Sequence, residues 1–339
     1  MEYIELCYAL RECEAWAGSK IQKVYHHDDT FVMHLYKSSL GKVFFLLKIP
    51  DAICVVKIKP SIGAIGALGG RLRKFWTNAT LKSIELISGE RIVKMVITTK
   101  NAVNHVYVEL FGKGNLVICD SEDKILLPWR SQSFTARKLK RGEMYELPPP
   151  RKSVFDLEDN EFYAAFEGET SSKVLAKMGL GKKYALEVCF RASVDPMSTS
   201  LGKVELQSLF CEVRKLLEHK IDAAVVSDKA EPFTWASIEG ERKPFGSFSE
   251  ALYSTLKWEK PKSQYDIELE KVEAVIHEQG KSVNKLQDRI VNETKKAEVL
   301  YEHYEAIREI LQTDVDKLEG HPMVKKVDKK HKTIVLELE

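Results

Sequence analysis

The chain has 339 residues, 44% of them hydrophobic, and a formal net charge of +2, which is typical of a globular protein with two or three domains. Its longest apolar runs, such as Val43–Leu47, are too short to span a bilayer, and Glu2 and Glu5 interrupt any secretory signal. Six cysteines without a CxxC spacing indicate reduced thiols, so we expect a cytoplasmic protein that has no membrane partner.

Charge is distributed unevenly along the chain. Residues 1–150 hold 22 Lys and Arg against 15 Asp and Glu, whereas residues 263–339 hold 13 against 17. A basic N-terminal part joined to an acidic C-terminal part indicates a polyanionic partner for the first part only. Ordinary surface charge gives an excess of the same size, so both interpretations stay open at this point.

The first sixty residues predict a helix followed by antiparallel strands. Apolar residues at positions 3, 6, 10 and 13 share one helical face, and Gly18 ends the helix. The turn at positions 26–29 contains His and Asp, which ligate metals, but adjacent residues lack the spacing of a metal site. We therefore expect a plain turn there, and no metal or other cofactor. The strands are predicted at Lys20–Tyr25, Thr30–Tyr36, Val43–Ile49 and Ile53–Ile58.

The stretch Lys57–Lys82 has six basic residues and no acidic one. Its glycine-rich first part, Ser61–Gly70, is predicted to be flexible, and a helix is predicted to follow. Clustered cations bind phosphates, and neighbouring aromatic rings can stack on bases. Phe75 and Trp76 are expected instead to anchor the helix to the sheet. The cations expected to contact RNA are Arg71, Arg73 and Lys74.

The segment Leu86–Arg130 predicts an antiparallel meander, because three turn signals separate short runs rich in Val, Ile and Tyr. The pair Glu90-Arg91 lies at the first turn, where its side chains either reach a ligand or form a solvated turn. Alternation along the strands predicts one solvated face, with His105, Tyr107 and Glu109. The buried face is predicted to carry Val93, Met95, Ile97, Val106, Val108 and Leu110.

Three consecutive prolines, at positions 148–150, cannot continue a strand, so a β-rich domain is predicted to end at residue 150. Residues 151–262 are predicted to be helical, with a small β insertion at Ala224–Val226 and Phe233–Ile238. Within this region, glycines at 179 and 181 separate two amphipathic segments, which is typical of a helix–hairpin–helix. Such a turn brings backbone N–H groups, Lys182 and Lys183 to a phosphate, although the same turn also serves for packing alone.

Residues 263–319 carry a heptad repeat over six heptads, which predicts a coiled-coil arm. Its partner helix would come from a second copy, from another protein or from a missing part of this one. A break into a hairpin near Gly280 or Asn292 is the alternative. Residues 320–339 predict two strands, which would begin a following region of a truncated chain: Met323–Val327 and Thr333–Leu338.

Motifs for catalysis are missing from the sequence. It contains no GxSxG, HExxH, P-loop or Rossmann fingerprint, and no Cys–His or Ser–His pair can be nominated from spacing. We therefore expect a binding or adaptor protein rather than an enzyme, with no catalytic residue.

These segments together resemble the N-terminal half of the NFACT family. Its members are ribosome-associated quality-control proteins called RqcH in prokaryotes and NEMF in animals, and the bacterial ones are often labelled fibronectin-binding protein A. The matching segments occur in the order of the family and cover nearly the whole chain. They are KVYHHDDTFVMHLY, FFLLKIPDA, SGERIVKMVI, VYVELFGKGNLVICDSEDKIL, RKLKRGEMYELPPP, LAKMGLGKKYALEVCFRASVDP and SFSEALYSTLKWE.

The resemblance implies an α+β fold, with a β-rich N-terminal domain similar to that of formamidopyrimidine-type DNA glycosylases. A helix–hairpin–helix domain and a long coiled-coil arm would follow. The resemblance also implies binding to the large ribosomal subunit with its stalled peptidyl-tRNA. Charged tRNA, chiefly tRNA-Ala, would be recruited for untemplated C-terminal tailing. The C-terminal RNA-binding domain of the family has no counterpart before Glu339.

Family members bind tRNA through an acidic residue in the first helix and through an Asp-Arg pair. The matching positions here look like Glu5 and Glu90-Arg91. Both acids are glutamate where the family usually has aspartate, which keeps the charge and lengthens the reach by about one methylene. The full set of predicted tRNA- or RNA-binding residues is Glu5, Glu90, Arg91, Arg71, Arg73, Lys74, Gly179, Gly181, Lys182 and Lys183.

Two alternative functions are a nucleic-acid repair enzyme of the glycosylase type and a fibronectin-binding surface adhesin. Glycosylases of the similar fold use an N-terminal proline followed by a glutamate. Here Glu2 follows Met1 directly, so the Schiff-base nucleophile is missing. An adhesin is disfavoured because the sequence shows no export signal, anchor or disulfide framework.

Overall fold

The computed structural model of the chain forms two compact units, Met1–Pro261 and Lys262–Glu339. The structure describes the backbone at every position except 61, 63–65, 136, 150–151, 167, 239, 257–263, 315–317, 319–321, 329–330, 332 and 339. It describes the side chains of the same residues, apart from 264–271 and 274.

The first unit is built on a nine-stranded sheet in which every neighbouring pair is antiparallel. Helix α1 (Tyr3–Glu14) precedes the sheet, and α2 (Ala67–Trp76) lies between its fourth and fifth strands. The strands are β1 (Ser19–His27), β2 (Thr30–Lys37), β3 (Gly41–Lys48), β4 (Ala52–Val56), β5 (Thr80–Leu86), β6 (Ile92–Thr98), β7 (Val103–Glu109), β8 (Asn115–Cys119) and β9 (Ile125–Pro128).

The remaining elements of this unit are short. Two-residue strands β10 (Gln132–Ser133) and β11 (Lys138–Leu139) form a ribbon, and a turn of 3₁₀ helix covers Val154–Asp156. The helices are α3 (Asp159–Ala164), α4 (Ser171–Leu175), α5 (Gly181–Arg191), α6 (Lys203–Lys215) and α7 (Phe248–Thr255). A three-stranded sheet has β12 (Ala224–Val226) between β13 (Lys229–Glu231) and β14 (Arg242–Pro244).

The large sheet consists of two meanders, β1–β4 and β5–β9, which meet where β1 pairs with β5 over only two residue pairs. The alternation that predicted the strands is confirmed on one face, where Val93, Met95 and Val106 are fully buried. This face joins α1 and the helices after residue 153 in one hydrophobic core.

The opposite face of the second meander is not solvated, and that prediction was wrong. Tyr107 and Glu109 are 5% and 2% exposed, and a second hydrophobic cluster covers this face. The cover comes from Leu139 and Tyr145, whose ring stacks on Tyr107 with centroids 3.8 Å apart. Periodicity within a strand cannot reveal cover supplied by an irregular segment thirty residues further along the chain.

Helix α1 ties the large sheet to the helical part. It packs against β4, β5 and α7, and Tyr8 Oη donates to the carbonyl of Leu216 at 2.6 Å. The Glu12 carboxylate accepts the backbone N–H groups of Phe248 and Ser249 at 2.7 and 2.8 Å, so it caps the N-terminus of α7. The further boundary predicted at residue 150 lies outside the described residues.

Two local predictions in this unit need correction. Residues 67–70 belong to α2 instead of a flexible loop, because Leu72 and Trp76 bury the face of this helix against the sheet. Residues 61 and 63–65 of the predicted loop lie outside the described part. The segment Phe233–Ile238 is not a strand: Phe233 and Trp235 are buried in the core, and the backbone after them hydrogen-bonds to a side chain, as shown below.

The second unit contains a long helix, α8 (Gln264–Glu302), then α9 (Tyr304–Gln312) and a hairpin of β15 (Val324–Asp328) with β16 (Thr333–Leu336). Helix α8 runs through Gly280 and Asn292, so the hairpin considered at those positions does not form; the interruption lies at His303. Apolar seam residues among the described side chains of α8 are exposed, for example Ile276 and Ile290 at 61% and 64%. The coiled-coil pairing stays a prediction.

Because the first unit has its own core, we expect it to fold without the arm. Deleting Tyr265–Gln312 and bridging the gap with a short linker should leave residues 1–260 with a cooperative thermal transition and a Tm close to that of the intact chain. Differential scanning calorimetry checks this expectation. A broad, non-cooperative transition in the deletion variant would show that the arm contributes to the folding of the first unit.

Candidate nucleic-acid interface

A cleft of about 540 Å³ lies beside the start of α1, where the β5–β6 turn faces the turn before α5. Its lining includes Glu90, Arg91, Gly179 and Gly181, so the structure brings together residues that stand about ninety positions apart in the sequence. Glu2 also lines it, and the same residue borders a neighbouring pocket with Glu5, Lys182 and Lys183. We call the first of these the N-terminal cleft.

Arg91 is held in the N-terminal cleft by its contact with the chain terminus. Its Nη1 donates to the carbonyl oxygen of Met1 at 3.1 Å, and its own carbonyl accepts the N–H of Leu110 at 2.8 Å. A guanidinium has five N–H donors. Among the described ion pairs none includes Arg91. Most of its donors therefore remain for a ligand.

Glu5 is committed to the protein itself. Its carboxylate accepts the backbone N–H of Glu2 at 2.9 Å and lies 3.2 Å from Lys183 Nζ. The same Lys183 Nζ is 2.5 Å from Glu231, whose pKa burial raises although Lys183 opposes the shift. Lys183 therefore bridges two carboxylates and links α1, α5 and β13, whereas its neighbour Lys182 is exposed.

The glycine turn before α5 has a backbone conformation that favours glycine. Gly179 and Gly181 have φ of +102° and +76°, values that side chains beyond glycine rarely adopt. A β-carbon on Gly181 would lie 2.9 Å from the carboxylate carbon of Glu2, whereas one on Gly179 would meet nothing within 4 Å. The chain's own carboxylate therefore fills the space over Gly181, and the open side of the turn is at Gly179.

Helix α5 is fixed from its other side by a buried carboxylate. Glu187 is fully buried and accepts the N–H groups of Ala236 and Ser237 at 2.8 and 2.9 Å. Arg191 Nε donates to it at 2.6 Å. Burial alone would raise the pKa of Glu187, but these donors outweigh burial and lower it. Backbone N–H groups within 233–238 thus donate to the Glu187 carboxylate and not to a neighbouring strand.

The lowered pKa of Glu187 predicts a pH dependence of stability. A carboxyl group whose pKa is lower in the folded state stabilises the fold above its unfolded pKa, about 4.3, and this contribution is lost as the pH falls through the folded value. The Glu187→Gln variant should therefore lose less stability than the wild type between pH 5 and pH 3. Urea unfolding at a series of pH values measures both slopes; parallel curves would contradict the assignment.

Helix α2 places its three predicted RNA-binding cations differently. Arg71 and Lys74 are exposed, but Arg73 Nε donates to the carbonyl of Val24 at 2.7 Å and its guanidinium lies 5.0 Å from the Tyr25 ring. Arg73 therefore anchors the helix to β1. Trp76 is 1% exposed and also anchors the helix, as predicted, whereas the same prediction for Phe75 was wrong, since this ring is 59% exposed.

The cations of α2 do not reach the N-terminal cleft. Arg71 and Lys74 lie beside Thr99, which follows the end of β6, whereas Arg91 precedes its start. Eight residues of extended chain at roughly 3.3 Å each separate the two places by about 25 Å. The predicted residues thus form two separate groups.

Two further properties bear on the possible functions. In the described part of the chain, no group of three or more His, Cys, Asp or Glu side chains could hold a metal ion. The same residues contain no helix with the length and apolar character needed to cross a membrane.

Comparison with known proteins decides the family. The model of the NFACT N-terminal and middle domains matches residues 3–337. The chain belongs to the NFACT family.

Relatives of this NFACT chain include two curated proteins. The archaeal Rqc2 homolog aRqcH of Methanocaldococcus jannaschii is 26% identical over 280 residues, which cover 75% of this chain and 41% of that protein. The Rqc2 homolog RqcH of Streptococcus pneumoniae is 26% identical over 196 residues, which cover 53% and 33%. The NFACT chain thus spans less than half the length of the relatives it matches.

Solved structures share the fold of the NFACT chain. The N-terminal part of the fibronectin/fibrinogen-binding protein from Streptococcus suis has a TM-score of 0.61 at 20% identity, and the fibrinogen-binding protein from Staphylococcus aureus has 0.59 at 18%. Each alignment covers 74% of this chain and 96% of the other. At this identity the likeness concerns the fold alone. The predicted likeness to glycosylase N-domains and the helix–hairpin–helix assignment stay predictions.

Proposed function

We propose that this chain is an RNA-binding adaptor of ribosome-associated quality control, without catalytic chemistry of its own. It would bind the large ribosomal subunit that carries a stalled peptidyl-tRNA and recruit a tRNA, of the tRNA-Ala kind, for untemplated C-terminal tailing in the cytoplasm. Membership of the NFACT family and the names of the Rqc2-homolog relatives support this proposal.

The observation that carries the proposal is the N-terminal cleft. It gathers Glu90, Arg91 and the open Gly179 turn at one place, with Glu5 holding the neighbouring α5 in position through Lys183. An arginine fork can donate to a phosphate or a base edge, and a carboxylate can accept from a base amino group. Backbone N–H groups at a glycine turn add donors for a phosphate. The cleft therefore offers the complementary groups that tRNA recognition needs.

The two alternative functions make different binding predictions. A repair glycosylase would prefer duplex DNA, and an adhesin would bind fibronectin. The solved neighbours named for fibronectin or fibrinogen binding share only the fold, so we rank RNA first.

Fluorescence anisotropy with the intact chain tests the proposal. The probes are labelled tRNA, a DNA duplex of matched length and soluble fibronectin, each titrated between 50 and 200 mM salt. We expect tRNA to bind at least tenfold more tightly than the duplex, with an affinity that falls as salt rises. Saturable binding of fibronectin together with no measurable binding of tRNA at the lowest salt would overturn the proposal.

A further inference from the structure

A second groove of about 1050 Å³ lies at the other end of β6, between α2, the β6–β7 turn and the β8–β9 edge. We call it the basic groove. Its lining unites cations from three segments that are distant in the sequence. The residues that matter here are Arg71, Lys74, Phe75, Lys100, Asn101 and Arg141.

The basic groove carries four positive charges, and no Asp or Glu lines it among the residues that the structure describes. All four cations are exposed, and among the described residues none of them lies within ion-pair distance of a carboxylate. Arg137 and Lys183, by contrast, are paired with the buried carboxylates of Glu109 and Glu231. The groove cations thus remain available for an anionic partner.

An aromatic platform stands among these charges. The Phe75 ring lines the groove next to Lys74. It is 59% exposed, so most of this apolar ring contacts solvent and not the core. The helix below it is held firmly by buried Trp76 and by the bond from Arg73 to Val24. The ring is therefore presented on a rigid support, which lowers the entropic cost of stacking a ligand on it.

We propose that the basic groove binds an unpaired stretch of RNA, with a base stacked on Phe75 and neighbouring phosphates on Arg71, Lys74, Lys100 and Arg141. This proposal rests on the proposed function and extends it to a second contact surface. The combination of free cations with an exposed ring matches single strands, because a duplex hides the faces of its bases. The amide of Asn101 adds a donor and an acceptor for a base edge.

The distance between the two sites gives the proposal a geometric consequence. The basic groove and the N-terminal cleft lie about 25 Å apart along β6, so one nucleotide cannot touch both. A folded RNA would contact the cleft and the groove with different parts. Mutations at one site should therefore lower RNA affinity there without removing the contacts at the other site.

The test compares binding of a labelled ten-nucleotide oligouridylate to the intact chain and its variants. One variant neutralises the groove (Arg71→Gln, Lys74→Gln, Lys100→Gln, Arg141→Gln), and a control removes four exposed charges elsewhere (Lys42→Gln, Lys138→Gln, Lys203→Gln, Lys220→Gln). The logarithm of the binding constant falls with the logarithm of the salt concentration, by about 0.7 per phosphate contact of a single strand. The groove variant should lower the magnitude of this slope by up to about 3, whereas the control should keep most of the wild-type slope. The Phe75→Leu variant should lower affinity about tenfold at unchanged slope.

The outcomes separate this proposal from the proposed function. Suppose that the wild type binds tRNA, and that the groove variant binds the oligonucleotide as tightly as the charge-matched control does. In that case the groove proposal fails and the proposed function stands. If wild type binds neither RNA at 50 mM salt, both fail. A polyglutamate peptide that displaces the oligonucleotide at a lower concentration than unlabelled oligouridylate would make the groove a protein-docking surface and overturn the proposal. Melting curves of every variant, matched to wild type, confirm that folded protein is compared.

Discussion

Replacing Arg137 with alanine is expected to lower the free energy of unfolding by about 3–5 kcal/mol. Arg137 Nη1 lies 2.6 Å from Glu109 Oε1, and the two side chains are only 6% and 3% exposed. The same oxygen accepts from Tyr145 Oη at 3.0 Å, and burial together with Glu109 raises the pKa of this phenol. Without the guanidinium, the Glu109 carboxylate would stay buried and lose its only cation among the described residues.

The double variant Glu109→Gln with Arg137→Met is the matched comparison. It removes both charges, so no uncompensated ion is left in the interior, and it should cost less than Arg137→Ala alone. Lys138→Ala, an exposed neighbour, should change stability by less than about 0.5 kcal/mol. Urea denaturation monitored by tryptophan fluorescence gives all three values. A loss below about 1 kcal/mol for Arg137→Ala would mean that the pair behaves like a solvated surface pair.

Replacing both Glu90 and Arg91 with alanine is expected to weaken tRNA binding tenfold or more, a loss of about 1–3 kcal/mol for one good polar recognition contact. The fold should survive, since losing the hydrogen bond from Arg91 to Met1 costs only about 1 kcal/mol. Anisotropy titrations with tRNA, with melting curves beside them, measure both quantities.

The matched control for this pair is Glu122→Ala with Lys124→Ala, at the turn between β8 and β9. Both residues are exposed, and the double change leaves the net charge unaltered, as it does at Glu90 and Arg91. The control should bind tRNA as wild type does. If both double variants bind equally, or if the first only melts earlier while binding per folded molecule is unchanged, the recognition role of Glu90 and Arg91 is wrong.

The local pattern of the sequence predicts the framework of this molecule well. Alternation in β6 and β7 correctly places Val93 and Val106 on the buried face, because side-chain direction in a strand depends only on position. A helix predicted to follow Gly70 also forms, but α2 begins earlier, at Ala67, within the segment predicted to be flexible. The turn glycines at 179 and 181 have the backbone their identity suggests.

Long-range contacts explain what local patterns miss. The cover over Tyr107 comes from Tyr145, in a region whose strands have two residues each and so show no periodicity. Lys100 and Arg141 stand 29 and 70 positions from Arg71 in the sequence, and only the fold brings them to it. Glu2 reaches Gly181 across 179 positions of sequence, which local reading cannot detect.

The central claim is that this NFACT chain recognises RNA at a stalled large ribosomal subunit. Co-sedimentation of the intact chain with purified large subunits, with and without a peptidyl-tRNA and across a series of salt washes, tests it most directly. We expect the chain to pellet with the subunits that carry peptidyl-tRNA at low salt and to be released as the salt rises, with weaker pelleting by the Glu90→Ala, Arg91→Ala variant. Chain that stays in the supernatant at the lowest salt, in the presence of excess peptidyl-tRNA-bearing subunits, would contradict the claim.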